Sequence, residues 1–239
     1  MKVIKTMINK KLIYIFFIAI LTTFLLYISD QVLTLNYMTK AGMKIILFSV
    51  FPVIYIIQTG ENVLKESLVN IRNNKVNIPR MKLSLFLGIF VFCAIIGAYV
   101  ILQQYIDNDQ LIIEFEEKYK INRNNIIYYS LYITFINSLL EEFFFRGFLF
   151  LNIKRLGYRK TAYIISSATF AIYHIANFQN WFLIGVFIIA IAGLFIGGCI
   201  FNFLDEEQET FLNSWFVHIC ADLGIVLIGL RIFGIITFI

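Results

Sequence analysis

Charge is scarce in this chain: 15% of its 239 residues are Asp, Glu, Lys or Arg, where soluble domains carry about 25%. Proline is nearly absent, with two residues, and histidine is equally rare, with two. Scarcity of charge together with 60% hydrophobic residues excludes a soluble globular domain and a disordered chain. The three cysteines, Cys93, Cys199 and Cys220, all lie inside apolar runs without metal-type spacing. That excludes a disulfide scaffold and a cysteine–zinc cluster. No long loop combines a basic stripe with interleaved aromatics, so the net charge of +5 does not point to nucleic acid as a partner. A mean hydropathy of +0.81 leaves an all-α, polytopic membrane helix bundle in contact with the lipid bilayer.

Apolar runs fall at 12–28, 45–57, 83–102, 126–152, 161–178, 182–203 and 211–230, with a short apolar tail at 232–239. A spanning helix needs about 20 residues, so the pattern predicts seven spans, or eight if the tail forms another. The run at 45–57 is short and contains Pro52, which predicts a kink or break there. The first run is long and no small-residue cleavage site follows it, so it reads as an uncleaved span. Residues 1–125 carry three spans and no chemical motif; residues 126–239 carry every motif described below.

Basic residues cluster in alternate loops: Lys2, Lys5, Lys10 and Lys11; then Lys65, Arg72, Lys75, Arg80 and Lys82; then Lys154, Arg155, Arg159 and Lys160. The positive-inside rule puts these loops and the N-terminus in the cytoplasm. The segment 205–209 belongs on that side by alternation, yet it is acidic. Richness in Ile, Phe, Asn and Lys suits an AT-rich genome and hence a bacterial plasma membrane.

The informative residues are the ionisable ones that the membrane should have excluded. Each costs at least about 2.5 kcal/mol at a helix centre, which makes it a functional candidate. They are Glu141, Glu142, Arg146, His174, His218 and Asp222. Glu142 and Arg146 are four residues apart, on one helix face, and predict an ion pair that leaves Glu141 without a local partner. Glu141 precedes Lys154 by 13 residues and His174 follows Lys160 by 14, so both lie about 20 Å from one membrane face. His218 and Asp222, also four apart, fall in the same layer on the last span. Three spans thus place their ionisable groups at one depth. Asn137, Ser138, Ser166, Ser167 and Thr169 read as helix–helix contacts, as do Gly193 and Gly197 in a GxxxG pattern. Tyr128, Tyr129 and Tyr132 read as an interfacial belt.

A carboxylate with two histidines and a further acid in a dry cavity is a hydrolytic set. Carboxylate and imidazole can hold and deprotonate a water, and a second histidine can stabilise an oxyanion. Glu141, His174 and His218 are equally a zinc-ligand set, in which Zn2+ would acidify the water. Ser138 carries no mark of an activated nucleophile. A proton-coupled transporter would also bury such groups, but no inverted repeat is visible.

The residues EEFFFRG at 141–147, FAIYH at 170–174 and HICAD at 218–222 match the patterns EExxxR, FxxxH and HxxxN/D. In this order they resemble the CPBP family (CAAX proteases and bacteriocin-processing enzymes, also called Abi), over roughly residues 126–226. The resemblance implies an intramembrane endopeptidase, labelled a metalloprotease, that acts on a peptide or membrane-protein substrate. Glu141 and His174 would activate water, His218 and Asp222 would form the oxyanion site, and Glu142 and Arg146 would support it. The eukaryotic-type branch has Asn where this chain has Asp222. An ionised Asp cannot donate to an oxyanion, so Asp222 is protonated, orients His218 or binds metal. Some members act without catalysis, in bacteriocin immunity or as regulators of a membrane partner; the intact motifs here favour the enzyme.

Overall fold

The computed structural model describes residues 2–33, 35–62, 65–67, 78–178 and 183–237. Arg72 and Lys75 of the second basic loop, Phe182 at the start of the sixth apolar run, and the last two tail residues lie outside them. Among the described residues all regular structure is helical. Helix α1 (Lys2–Tyr27) ends in a π turn, Ile28–Val32. Helix α2 (Tyr37–Thr59) is capped by Asn36 and stops at Gly60, whose φ of 75° closes the C-terminus. It runs through Pro52 without interruption, contrary to the expected break. Helices α3 (Ile78–Leu102) and α4 (Asn108–Glu117) follow.

Residues 126–155 form one continuous helix, α5, with wide π segments at Tyr132–Asn137 and Phe143–Leu151. The glutamate pair sits in the five-residue α segment between them, Ser138–Glu142. Helix α6 (Arg159–Tyr173) is followed, after the single residue His174, by the short α7 (Ile175–Phe178). Helices α8 (Ile184–Glu206) and α9 (Leu212–Ile232) complete the bundle. The tail from 233 to 237 forms turns, with Ile235 N–H donating to Leu230 O at 2.9 Å, and adds no eighth helix.

Helix α5 is the axis. It touches α1, α2, α6, α8 and α9, while α3 packs along α9 and α8 along α6. Its aromatic run explains this position. Phe144, Phe145, Phe148 and Phe150 are buried with Ile15, Phe48, Tyr55, Phe170 and Tyr173. Phe48 of α2 stacks on Phe144 at 4.7 Å between ring centres, and Phe145 meets Phe170 at 5.3 Å. Large apolar side chains of the outer helices, such as Ile20, Ile57, Ile101 and Ile184, are more than 70% exposed, as lipid-facing residues must be.

Among the described residues, five helices are long and apolar enough to cross a membrane: Thr6–Val32, Tyr37–Thr59, Arg80–Tyr105, Ile184–Glu206 and Leu212–Ile232. Helices α5 and α6, the two remaining predicted spans, are the polar, sheathed pair at the centre. The GxxxG expectation fails: a Cβ on Gly193 or Gly197 would meet nothing within 4 Å. The close contact is one residue further on, where a Cβ on Gly198 would lie 3.0 Å from Ser167 Cα.

Ion pairs collect the predicted cytoplasmic loops at one end of the bundle. Lys11 pairs with Glu61 at 2.6 Å, Arg155 with Glu66 at 2.7 Å and Glu209 at 3.0 Å, and Arg80 with Glu207 at 2.8 Å. Arg159 also pairs with Glu206. The acidic segment 205–209 is therefore the counter-charge of the basic turn at 154–160. The Tyr163 hydroxyl, beside this turn, donates to Glu206 at 2.8 Å. At the opposite end Asp30 binds Lys40 and lies 3.8 Å from Lys118.

Candidate active site

Three chain segments bring their ionisable groups together where α5, α6 and α9 meet. Glu141 and Glu142 come from the short α segment of α5, His174 from the junction of α6 and α7, and His218 and Asp222 from successive turns of α9. All six sequence-derived candidates join this cluster. Glu142 and Arg146 are fully buried, and Glu141, His218 and Asp222 are buried too.

The Glu142–Arg146 pair forms as expected, with Nη1 donating to Oε1 at 3.0 Å. The guanidinium lies between Phe170 and Phe201, 4.2 and 4.8 Å from their ring centres. The same Glu142 oxygen contacts His218 Nδ1 at 2.7 Å. An ionised carboxylate only accepts, so Nδ1 carries the hydrogen and Nε2 points the other way. His174 is fixed similarly: its Nδ1 lies 2.7 Å from Phe170 O. A carbonyl only accepts, so here too Nδ1 is the donor and Nε2 is the acceptor nitrogen.

Both Nε2 atoms face Glu141 Oε2, at 3.7 Å from His174 and 4.0 Å from His218. Asp222 Oδ1 lies 3.7 Å from His218 Nε2. Among the described residues, Glu141 Oε2 and Asp222 Oδ2 are buried without a hydrogen-bond partner. These gaps exceed a direct hydrogen bond yet suit one bridging water. Among the described residues, no three His, Cys, Asp or Glu side chains are grouped to hold a metal ion. The arrangement thus fits a water between Glu141 and His174, and it does not gather Glu141, His174 and His218 as zinc ligands.

The expectation that Glu141 lacks a local partner is overturned. Its other oxygen, Oε1, accepts from Asn137 Nδ2 at 2.7 Å and from Tyr173 OH at 3.0 Å. Lys44 of α2 stands 3.8 Å from Oε1 and donates to Asn137 Oδ1 at 3.0 Å. Asn137 is a site residue and not merely a helix contact. Lys44 and Tyr173 were not among the sequence candidates. The available signal was weak: a lysine one residue before an apolar run, and a tyrosine adjacent to a histidine. Ser138 is occupied, its hydroxyl donating to Thr134 O and accepting from Trp215 Nε1 at 3.0 Å. Tyr132 is drawn from the expected belt into a ring cluster with Tyr37, 5.9 Å away.

Fold and cluster together define an integral membrane protein whose helical core holds a buried polar cluster of carboxyl groups and imidazoles. Residues 123–224 match the family model described as Type II CAAX prenyl endopeptidase Rce1-like, so over that stretch the chain is similar to the CAAX protease-like family. The match includes α5, α6, α8 and most of the site; it does not reach Lys44. Searches against curated proteins and against solved structures give no match.

Proposed function

We propose that the protein is an intramembrane endopeptidase that cleaves a membrane-associated peptide or protein with a water activated by Glu141 and His174. The observation that carries this reading is the Glu141 Oε2–His174 Nε2 separation of 3.7 Å, with Oε2 unpartnered and the histidine tautomer fixed by Phe170 O. A water there donates one hydrogen to each acceptor and turns its lone pair toward a substrate carbonyl. Attack moves one water proton to Glu141 and places negative charge on the carbonyl oxygen. His218 in its imidazolium form donates Nδ1–H to Glu142 and Nε2–H to that oxyanion. Glu141 then passes its proton to the leaving nitrogen, and the peptide bond breaks to a carboxylic acid and an amine. No step is routed through a metal.

Asp222 faces Nε2 of His218, while Nδ1 is already held by Glu142. Asp222 therefore acts at the oxyanion side of the cavity in its protonated form, and the ring is oriented by Glu142. Ser138 supplies no nucleophile because Thr134 O and Trp215 hold its hydroxyl. A non-catalytic partner role would place no demand on the bare Oε2 or on the two fixed imidazoles.

The ion pairs gathered at one end of the bundle support seven crossings, with α5 and α6 as inner spans and the N-terminus in the cytoplasm of a bacterium. The reading is tested with purified protein in phospholipid vesicles and an internally quenched peptide ending in a prenylated CAAX sequence. Parental protein cleaves it, and His174→Ala inserts normally but does not. Cleavage by His174→Ala at the parental rate overturns the proposal.

A further inference from the structure

Lys44 lies outside the family-matched residues and outside every motif, yet it reaches the Glu141 carboxylate. Resting on the peptidase reading, we infer that Lys44 is a positioning residue: through Asn137 it clamps one oxygen of Glu141 and balances its charge, so that the other oxygen stays an ionised base.

The geometry separates the two oxygens of Glu141. Oε1 takes Asn137 Nδ2 at 2.7 Å and Tyr173 OH at 3.0 Å, with the Lys44 ammonium 3.8 Å away. Oε2 takes neither and faces the imidazoles. Asn137 can donate to Glu141 because its own carbonyl oxygen is held by Lys44 Nζ at 3.0 Å, which fixes the orientation of the amide. Lys44 also lies over the Tyr173 ring, 5.2 Å from its centre. A single lysine thus braces both donors that saturate Oε1.

Charge balance gives the second reason. The cluster holds three carboxyl groups, of which Glu141 and Glu142 carry charge and Asp222 is protonated. Arg146 offsets Glu142 at 3.0 Å, and the Lys44 ammonium stands 3.8 Å from Glu141. A neutral form of Lys44 could not compensate it, and an unpaired buried carboxylate is expensive in a membrane interior. The titratable groups facing Glu141 are Lys44 and Tyr37 from α2, Tyr132 and Glu142 from α5, Tyr173 and His174 from α6, and His218 and Asp222 from α9. Arg146, which also interacts with Glu141, is already engaged by Glu142, so Lys44 is the cation left to balance Glu141. Without it, the least costly adjustment is to protonate Glu141, which removes the base. Helix α2, without a motif of its own, is on this account part of the catalytic machinery.

The test is infrared difference spectroscopy of the full-length protein in phospholipid vesicles at neutral pH, which needs no substrate. The parent-minus-E141Q spectrum shows a carboxylate band for Glu141. The K44M-minus-K44M/E141Q spectrum instead shows a protonated carboxyl C=O band, and K44R restores the carboxylate band. In the peptide cleavage assay K44M loses about tenfold or more in kcat with KM unchanged, and K44R recovers most of it. A carboxylate band for Glu141 that persists in K44M overturns the inference, as does parental kcat in K44M. A loss of kcat in K44M that K44R does not recover also overturns it, because that is a packing effect. These outcomes are separate from failure of the peptidase reading, which appears as cleavage by His174→Ala.

Discussion

Glu142 Oε1 carries two contacts, Arg146 Nη1 at 3.0 Å and His218 Nδ1 at 2.7 Å, so it both neutralises a buried cation and aims an imidazole. Removing one member of such a buried pair leaves an uncompensated charge and costs about 3–5 kcal/mol. Arg146→Met therefore lowers the unfolding temperature in detergent sharply, and Glu142→Gln/Arg146→Met recovers part of the loss; parental stability of Arg146→Met would contradict the pairing. Asp222 tests the oxyanion side. Asn is nearly isosteric and can donate, so Asp222→Asn keeps cleavage within about tenfold, whereas Asp222→Leu loses about 100-fold or more. Inactive Asp222→Asn would show that the carboxylate itself is required. The six motif residues were legible in the sequence because ionisable groups inside apolar runs stand out, and because equal distances from one basic turn placed Glu141 and His174 at one depth. Lys44 was not legible: at the edge of a run it reads as a side chain reaching for the interface. Tyr173 hid for another reason, being one of 13 tyrosines in an aromatic-rich chain.

At the scale of the element, α5 positions the site and α6 and α8 hold it closed. The π segments on either side of Ser138–Glu142 shift the helical register twice. Spacing in the sequence carries no mark of this, since the same residues satisfy an ordinary helix. Ser166 Oγ donates to Phe145 O at 2.9 Å, so α6 supplies a bond to the backbone of the second π segment. The small-residue contact was misplaced by one position for a similar reason: GxxxG names two glycines, but the helix rotation turns Gly198 toward Ser167. Gly198→Leu drives a side chain into Ser167 and costs about 1–3 kcal/mol from overpacking. Gly193→Leu, open on that side, leaves the unfolding temperature in detergent near the parental value. Equal loss in both variants would contradict the packing.

Over the whole molecule, burial and charge sort the chain into two ends and a core. The order of the apolar runs agrees with the helices, although among the described residues five helices, not seven, are long and apolar enough to cross a membrane, and the acidic 205–209 segment, anomalous as a cytoplasmic loop, is explained by its pairing with Arg155 and Arg159. That pairing joins segments far apart in the chain and could not be read from either alone. In a background free of native cysteines, Asp109→Cys reacts with an impermeant maleimide added outside intact cells, and Lys160→Cys reacts only after permeabilisation. The reverse pattern would invert the orientation. Hydrolysis at Glu141 is the proposal that the family match and the buried cluster support, and it meets its most direct test in one rate. Glu141→Gln protein, reconstituted in vesicles at the parental level, is predicted to cleave the quenched peptide at least about 100-fold more slowly than the parent. Cleavage by Glu141→Gln at the parental rate would contradict the account.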